Sequence, residues 1–164
     1  MKRILISLPI LALSMAALAV DVTGKYNGKL SIDATAMKKG MVSKAAKGTD
    51  ADKKQAQQIV TAIDQQVKAA NASVLKLELK KGGTLTLVQT IAGKTETDSG
   101  KWTLKGDTIT LSNLTSKGGG PKTITGKVSK DGKTLSFSLD EEMKKQGAAM
   151  GAPAPTGSLT FKKA

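Results

Sequence analysis

Asp140, Glu141 and Glu142 stand side by side and are followed by Lys144 and Lys145, a dense run of ionisable groups. Two carboxyls held close together can divide acid–base work, one protonated and one ionised. This run follows an alternating apolar segment, however. An exposed turn opening a short helix accounts for it, because acidic residues suit the positive end of a helix. Gly-Lys-Thr occurs at 93–95 and again at 132–134, which invites a phosphate-loop reading. That loop also needs a glycine five residues before its second glycine, and Val88 and Lys127 occupy those places. Both triplets fit hairpin turns instead. Gly118-Gly119-Gly120 leads into Pro121 and a strand, so it lacks the helix N-terminal amides that cradle an anion.

Met37 and Met41, four apart, and Met143 and Met150 could offer thioethers to monovalent copper. Copper sites of this kind are denser in methionine or reinforced by histidine, and flexible apolar filling explains these residues more simply. The chain has no histidine and no cysteine. The usual nucleophile–base pairs and zinc sites therefore cannot be built, and no serine sits in a recognisable serine–lysine motif. The sequence reads as that of a non-enzyme, with no catalytic residues, no cofactor and no metal site.

The first residues carry an address. Lys2 and Arg3 precede the apolar stretch 4–16, which is interrupted by Ser7, Pro9 and Ser14, and Ala17-Leu18-Ala19 puts small residues where a signal peptidase reads. Residues 1–19 are expected to be a signal peptide, cleaved near Ala19, and the product to be exported to the periplasm or secreted. The stretch is short of the ~20 apolar residues of a spanning helix, so the cleaved chain is not expected to span a membrane. No cysteine follows to accept a lipid anchor.

Arg3 is the only arginine, and the formal net charge of the whole chain is +13. Such a field draws anionic envelope polymer or lipid headgroups. Lysines spread evenly from Lys25 to Lys163 are equally what the wet faces of strands and a helix require. Nucleic acid is not expected as a partner. Base stacking needs exposed aromatics, and Tyr26, Trp102, Phe137 and Phe161 fall on dry faces. Arginine, the preferred group for bidentate phosphate and base contacts, is missing after residue 3. Asn71-Ala72-Ser73 and Asn113-Leu114-Thr115 match the glycosylation sequon, which matters only in a eukaryotic secretory route.

The elements that would position any site are written plainly. From Val74 to Phe161 short runs of strict apolar/polar alternation are separated by glycine-rich turns, as in Leu75, Leu77 and Leu79, then Lys81-Gly82-Gly83, then Leu85 and Leu87. A period of two gives each strand one wet and one dry face. Strands are predicted near 25–32, 74–80, 84–91, 95–104, 108–113, 122–129, 134–140 and 158–162, with Gly100 marking a bulge or bend. Residues 34–48 read as a connector, in part helical. Thr49 and Asp52 have the spacing of a capping box, and Ile59, Val60, Ile63, Val67 and Ala70 follow one helical face, predicting an amphipathic helix over about 50–71. A Gly/Ala/Pro/Met loop is expected over about 143–156.

Two segments carry a family likeness. Residues 100–111, Gly-Lys-Trp-Thr-Leu-Lys-Gly-Asp-Thr-Ile-Thr-Leu, and 131–137, Asp-Gly-Lys-Thr-Leu-Ser-Phe, resemble the small exported lipocalin-like (calycin-type) domains of bacteria, many of unknown function. Gly24-Lys25-Tyr26 resembles the Gly-x-Trp that opens lipocalin-type barrels, with tyrosine in place of tryptophan. The resemblance covers most of residues 20–164 and implies a calycin-type fold. A long helix between the first two strands and a mid-chain tryptophan depart from the lipocalin pattern, so no ligand-binding residues are carried over.

Together these features predict a mostly β domain over 20–164, a single antiparallel eight-stranded up-and-down barrel, or half-open barrel, with one amphipathic helix between strands 1 and 2. Roughly twenty large apolar strand residues suffice to line such a barrel. The expected function is a non-catalytic exported binding module for a small apolar or amphipathic ligand such as a lipid. Its lining is expected to be Tyr26, Leu77, Trp102, Ile109, Phe137 and Phe161, with Ile63 and Val67 on a helical lid. Tyr26 and Trp102 carry an apolar ring with a polar handle and are the expected specific contacts. The alternative is a lysine-rich envelope-interaction protein that adheres to anionic polymer or lipid and has no internal pocket.

Overall fold

Strand alternation becomes burial alternation. In Thr123–Val128, Ile124, Gly126 and Val128 are buried while Thr123, Thr125 and Lys127 are exposed, as a period of two requires when one face is dry. The computed structural model describes residues 20–115, 122–144 and 153–164. Its elements are β1 (Gly24–Asp33), α1 (Thr35–Ala45), α2 (Asp50–Asn71), β2 (Val74–Leu79), β3 (Thr84–Ile91), β4 (Lys94–Lys105), β5 (Thr108–Ser112), β6 (Thr123–Val128), β7 (Thr134–Ser138) and β8 (Thr156–Lys163). The predicted signal peptide and the middle of the predicted 143–156 loop lie outside the described residues.

Each strand pairs antiparallel with the next, and β1 closes the ring on β8 from Tyr26↔Lys163 to Asp33↔Thr156. The result is the predicted closed eight-stranded up-and-down barrel, which leaves no unpaired sheet edge. Gly100 does not mark a bulge. β4 pairs with β3 in unbroken register from Thr84↔Lys101 to Ile91↔Lys94. The glycine is needed for clearance, because a Cβ there would lie 2.7 Å from the Ser112 carbonyl oxygen.

The helices fill the β1–β2 connection. The capping box forms as predicted: the Asp52 backbone N–H donates to Thr49 Oγ1 at 3.3 Å, and the Thr49 N–H donates to Asp52 Oδ2 at 2.7 Å. The connector is more ordered than its weak apolar pattern predicts. It forms α1, with Met37 buried and Gly40 so close to Pro153 that a Cβ would lie 2.5 Å from the ring. A Lys38–Asp64 ion pair joins α1 to α2. Asn71 anchors the end of α2: its side chain accepts from the Ile32 N–H at 2.7 Å and donates to the Ile32 carbonyl at 3.1 Å.

Hairpin turns use positive φ where the chain must reverse within two residues. Gly93 at 79° is suited to this, but Ala92 precedes it at 49°, a region that L side chains enter at a cost of about 1–2 kcal/mol. Ala92→Gly is expected to stabilise the domain by about 0.5–1 kcal/mol. A rise in the urea midpoint with an unchanged slope would show it, and an unchanged midpoint would refute it.

Candidate functional site

The up-and-down topology gives the barrel two unlike ends. At one end lie the short turns between β2 and β3, β4 and β5, and β6 and β7, together with residues 20–23 and Ala164. At the other lie the helical connection, the Ala92-Gly93 hairpin and the two longer connections after β5 and β7.

The short-turn end is closed by two residues predicted as ligand contacts. Tyr26 is 1 % exposed; its hydroxyl donates to the Val22 carbonyl at 2.7 Å and reaches the Gly132 carbonyl at 3.0 Å. Burial, aided by the negative charge of Asp21, pushes its phenol up to about 12. Lys163 Nζ lies over the ring, 5.9 Å from its centre. Trp102 is half-buried against the core, and its indole N–H donates to the Lys80 carbonyl at 3.0 Å. The polar handles of both rings are therefore engaged by backbone carbonyls. The clue available in sequence was position: each lies on an inward parity close to a tight turn.

The middle of the barrel is aromatic. Phe137 and Phe161 meet edge to face with ring centres 6.1 Å apart, an arrangement suited to the ring quadrupoles. Space for them comes from glycines: a Cβ on Gly28 would lie 2.4 Å from the Phe161 ring, and one on Gly126 would lie 2.4 Å from the Phe137 ring. Leu77 and Ile109 belong to the same buried cluster. Ile63 and Val67 of α2 are half-buried and stand outside that cluster, as does Ala56, the buried residue of α2.

Toward the helical end the inner face stops being purely apolar. Along β4 the inward positions are Asp98, Gly100, Trp102 and Leu104. Asp98 is 8 % exposed and pairs across the strands with buried Leu87, which in turn pairs with Leu77. Among the described residues no hydrogen bond or ion pair reaches the Asp98 side chain. One step further out on the same face, half-buried Gln89 pairs with both Leu75 and exposed Glu96. Ser73 continues the inward parity of β2, and its buried hydroxyl has no hydrogen-bond partner among the described residues. These polar inner positions were missed in sequence, although counting back by twos from Trp102 lands on Asp98.

Other carboxylates are committed to local structure. Hydrogen bonds from Thr49 hold Asp52 below the usual range, those from Ser129 and Lys133 hold Asp131 down, and those from Lys127 and Thr108 do so for Asp107. In the predicted acidic run, Asp140 accepts from the Gly157 N–H at 2.9 Å, which lowers its pKa. Residues 140–144 are helical, as the exposed-turn reading of that run expects. Carboxylates held ionised by turn donors are poorly suited to act as general acids.

Outside the barrel, a groove of about 340 Å3 crosses β1, β2 and β3, lined by Lys25, Asn27, Lys76, Glu78, Thr86 and Val88. A smaller cleft of about 260 Å3 lies between α1 and α2, bounded by Val42, Ala45, Ala56 and Gln57. Among the described residues no helix is long and apolar enough to cross a membrane. No protein-family model matches the chain, and no curated protein matches it either. The closed antiparallel barrel is compatible with a lipocalin-like fold.

Proposed function

We propose that this chain is an exported, lipocalin-like, non-catalytic binding module that takes a small apolar or amphipathic molecule, such as a lipid, into the helical end of its barrel. The observation that carries the reading is Asp98, a nearly buried polar group with no partner among the described residues, set beside leucines on the inner face. Among the described residues this carboxylate has no donor or cation beside it on the inner face, and a guest entering the barrel would supply one. Leu77, Ile109, Phe137 and Phe161 serve as the floor, and Ile63 and Val67 flank the entrance from α2. Tyr26 and Trp102 close the base, where Trp102 reports on what lies above. Export rests on the basic, apolar and small-residue pattern of residues 1–19.

Trp102 emission is expected to change saturably when decanol is added in high salt, and native mass spectrometry is expected to recover a one-to-one complex. High salt screens the lysines and leaves burial of an alkyl chain intact. A protein that ignores decanol but binds anionic polymer in a salt-sensitive way would instead act through its outer lysines, and the internal-binding reading would fall.

A further inference from the structure

Resting on the binding-module reading, we infer that the guest carries an ammonium head group and that Asp98 receives it. The charge arrangement argues for this. The chain has a large excess of lysine, yet among the described residues none of these lysines reaches the Asp98 side chain. Its neighbours along β4 explain the isolation. Thr97, Ser99 and Lys101 have the opposite parity and face solvent, while Lys94 shares the inward parity but sits exposed at the strand end. The backbone flanking Asp98 is engaged elsewhere: the Thr115 N–H donates to the Ser99 carbonyl at 3.1 Å, and the Ser99 N–H donates to Thr115 Oγ1 at 3.0 Å.

Beyond Asp98 the inward parity runs out to the exposed strand end, where Glu96 and Lys94 offset one another in charge. Glu96 lies one inward step away on β4, and Gln89 stands opposite it on β3. An anionic head group would meet the Asp98 carboxylate, whereas a neutral one would leave Asp98 without a charged partner. An ammonium supplies both donors and the opposite charge, and charge-assisted bonds of this kind are about twice as strong as neutral ones. Ser73 Oγ, which among the described residues is fully buried without a hydrogen-bond partner, provides a second polar contact on the inner face. The inward neighbours in register are hydrocarbon: Leu87 opposite Asp98 and Leu75 opposite Gln89. The barrel thus presents one inward carboxylate within a basic exterior, which favours a primary alkylamine over the matching alcohol or fatty acid.

Decylamine, decanol and decanoate share one chain and differ only in the head group. Titrated in high salt against the full chain and followed by Trp102 emission and native mass spectrometry, decylamine is expected to bind about tenfold or more tighter than decanol, with decanoate weakest. Asp98→Asn is expected to erase the preference for decylamine over decanol, bringing the two affinities within about threefold of each other. The melting temperature of Asp98→Asn is expected to stay level or rise, since the substitution removes a charge without a protein partner. Equal binding of amine and alcohol, or tighter binding of decanoate, would overturn the ammonium assignment and leave the binding module standing. Failure of all three to bind would overturn both. A marked drop in melting temperature for Asp98→Asn would show that Asp98 has a structural partner, and would overturn the assignment on its own.

Discussion

Replacing Phe161 with alanine is expected to lower the unfolding free energy by about 3–5 kcal/mol, the range for truncating a buried aromatic ring. Phe161 is fully buried, meets Phe137 edge to face, and fills the space left by Gly28 of β1. Its strand is also the one that closes the barrel, with Phe161 paired to Gly28 on one side and to Leu135 on the other. The companion substitution Gly28→Ala tests the same packing from the opposite strand. Its Cβ would stand 2.4 Å from the Phe161 ring and 2.8 Å from Leu75 Cβ, and such overpacking costs about 1–3 kcal/mol. In the Phe161→Ala background the part of that cost due to the ring disappears, while the 2.8 Å approach to Leu75 Cβ remains. Urea unfolding of the four proteins gives the coupling directly. Additive single effects would mean that the ring is not seated on Gly28.

The barrel was legible because two independent signals agree along it. Alternation in Leu75, Leu77 and Leu79 assigns the dry face, while the intervening glycines assign the turns. The predicted strand 84–91 has the bounds observed for β3, and the predicted helix 50–71 has those of α2. Where one signal is missing, reading stops. The segment that became α1 has little amphipathic pattern, and its order comes from Met37, Gly40 and the Lys38–Asp64 pair, contacts between residues distant in sequence. Gly100 reads as a bulge or bend because a strand interior rarely gains from glycine, but the register past it is unbroken and the backbone of the next strand leaves no room for a Cβ. Asp98 was hidden by the rule that revealed the barrel: a polar residue at an inward position reads as an interruption of the pattern. The large rings were legible as inward-facing, but which backbone carbonyls meet the Tyr26 hydroxyl and the Trp102 indole depends on how two turns and the chain entering the barrel converge, and alternation carries no information about that.

That convergence makes a second strong prediction at the closed end. Tyr26→Phe removes one hydroxyl that reaches two buried carbonyls, Val22 at 2.7 Å and Gly132 at 3.0 Å, and is expected to cost about 1–3 kcal/mol through the acceptors left unpaired. The loss extends to the chain entering the barrel, since Val20 and Asp21 pack so closely over the 129–133 turn that a Cβ on Gly132 would lie 2.6 Å from Val20. The pH dependence gives the substitution a distinctive signature. Folded Tyr26 titrates at about 12 because burial disfavours the phenolate and Asp21 adds to the effect, against about 10 in an unfolded chain. Between those values the unfolded chain releases the phenolic proton while the folded one keeps it. Stability attached to this group is therefore complete below pH 10 and is lost as pH rises toward 12. Phenylalanine has no proton to release, so the difference in unfolding free energy between wild type and Tyr26→Phe is expected to narrow across that window, with lysine deprotonation common to both. A gap that stays constant through it would mean that the hydroxyl faces water and that the base of the barrel is open.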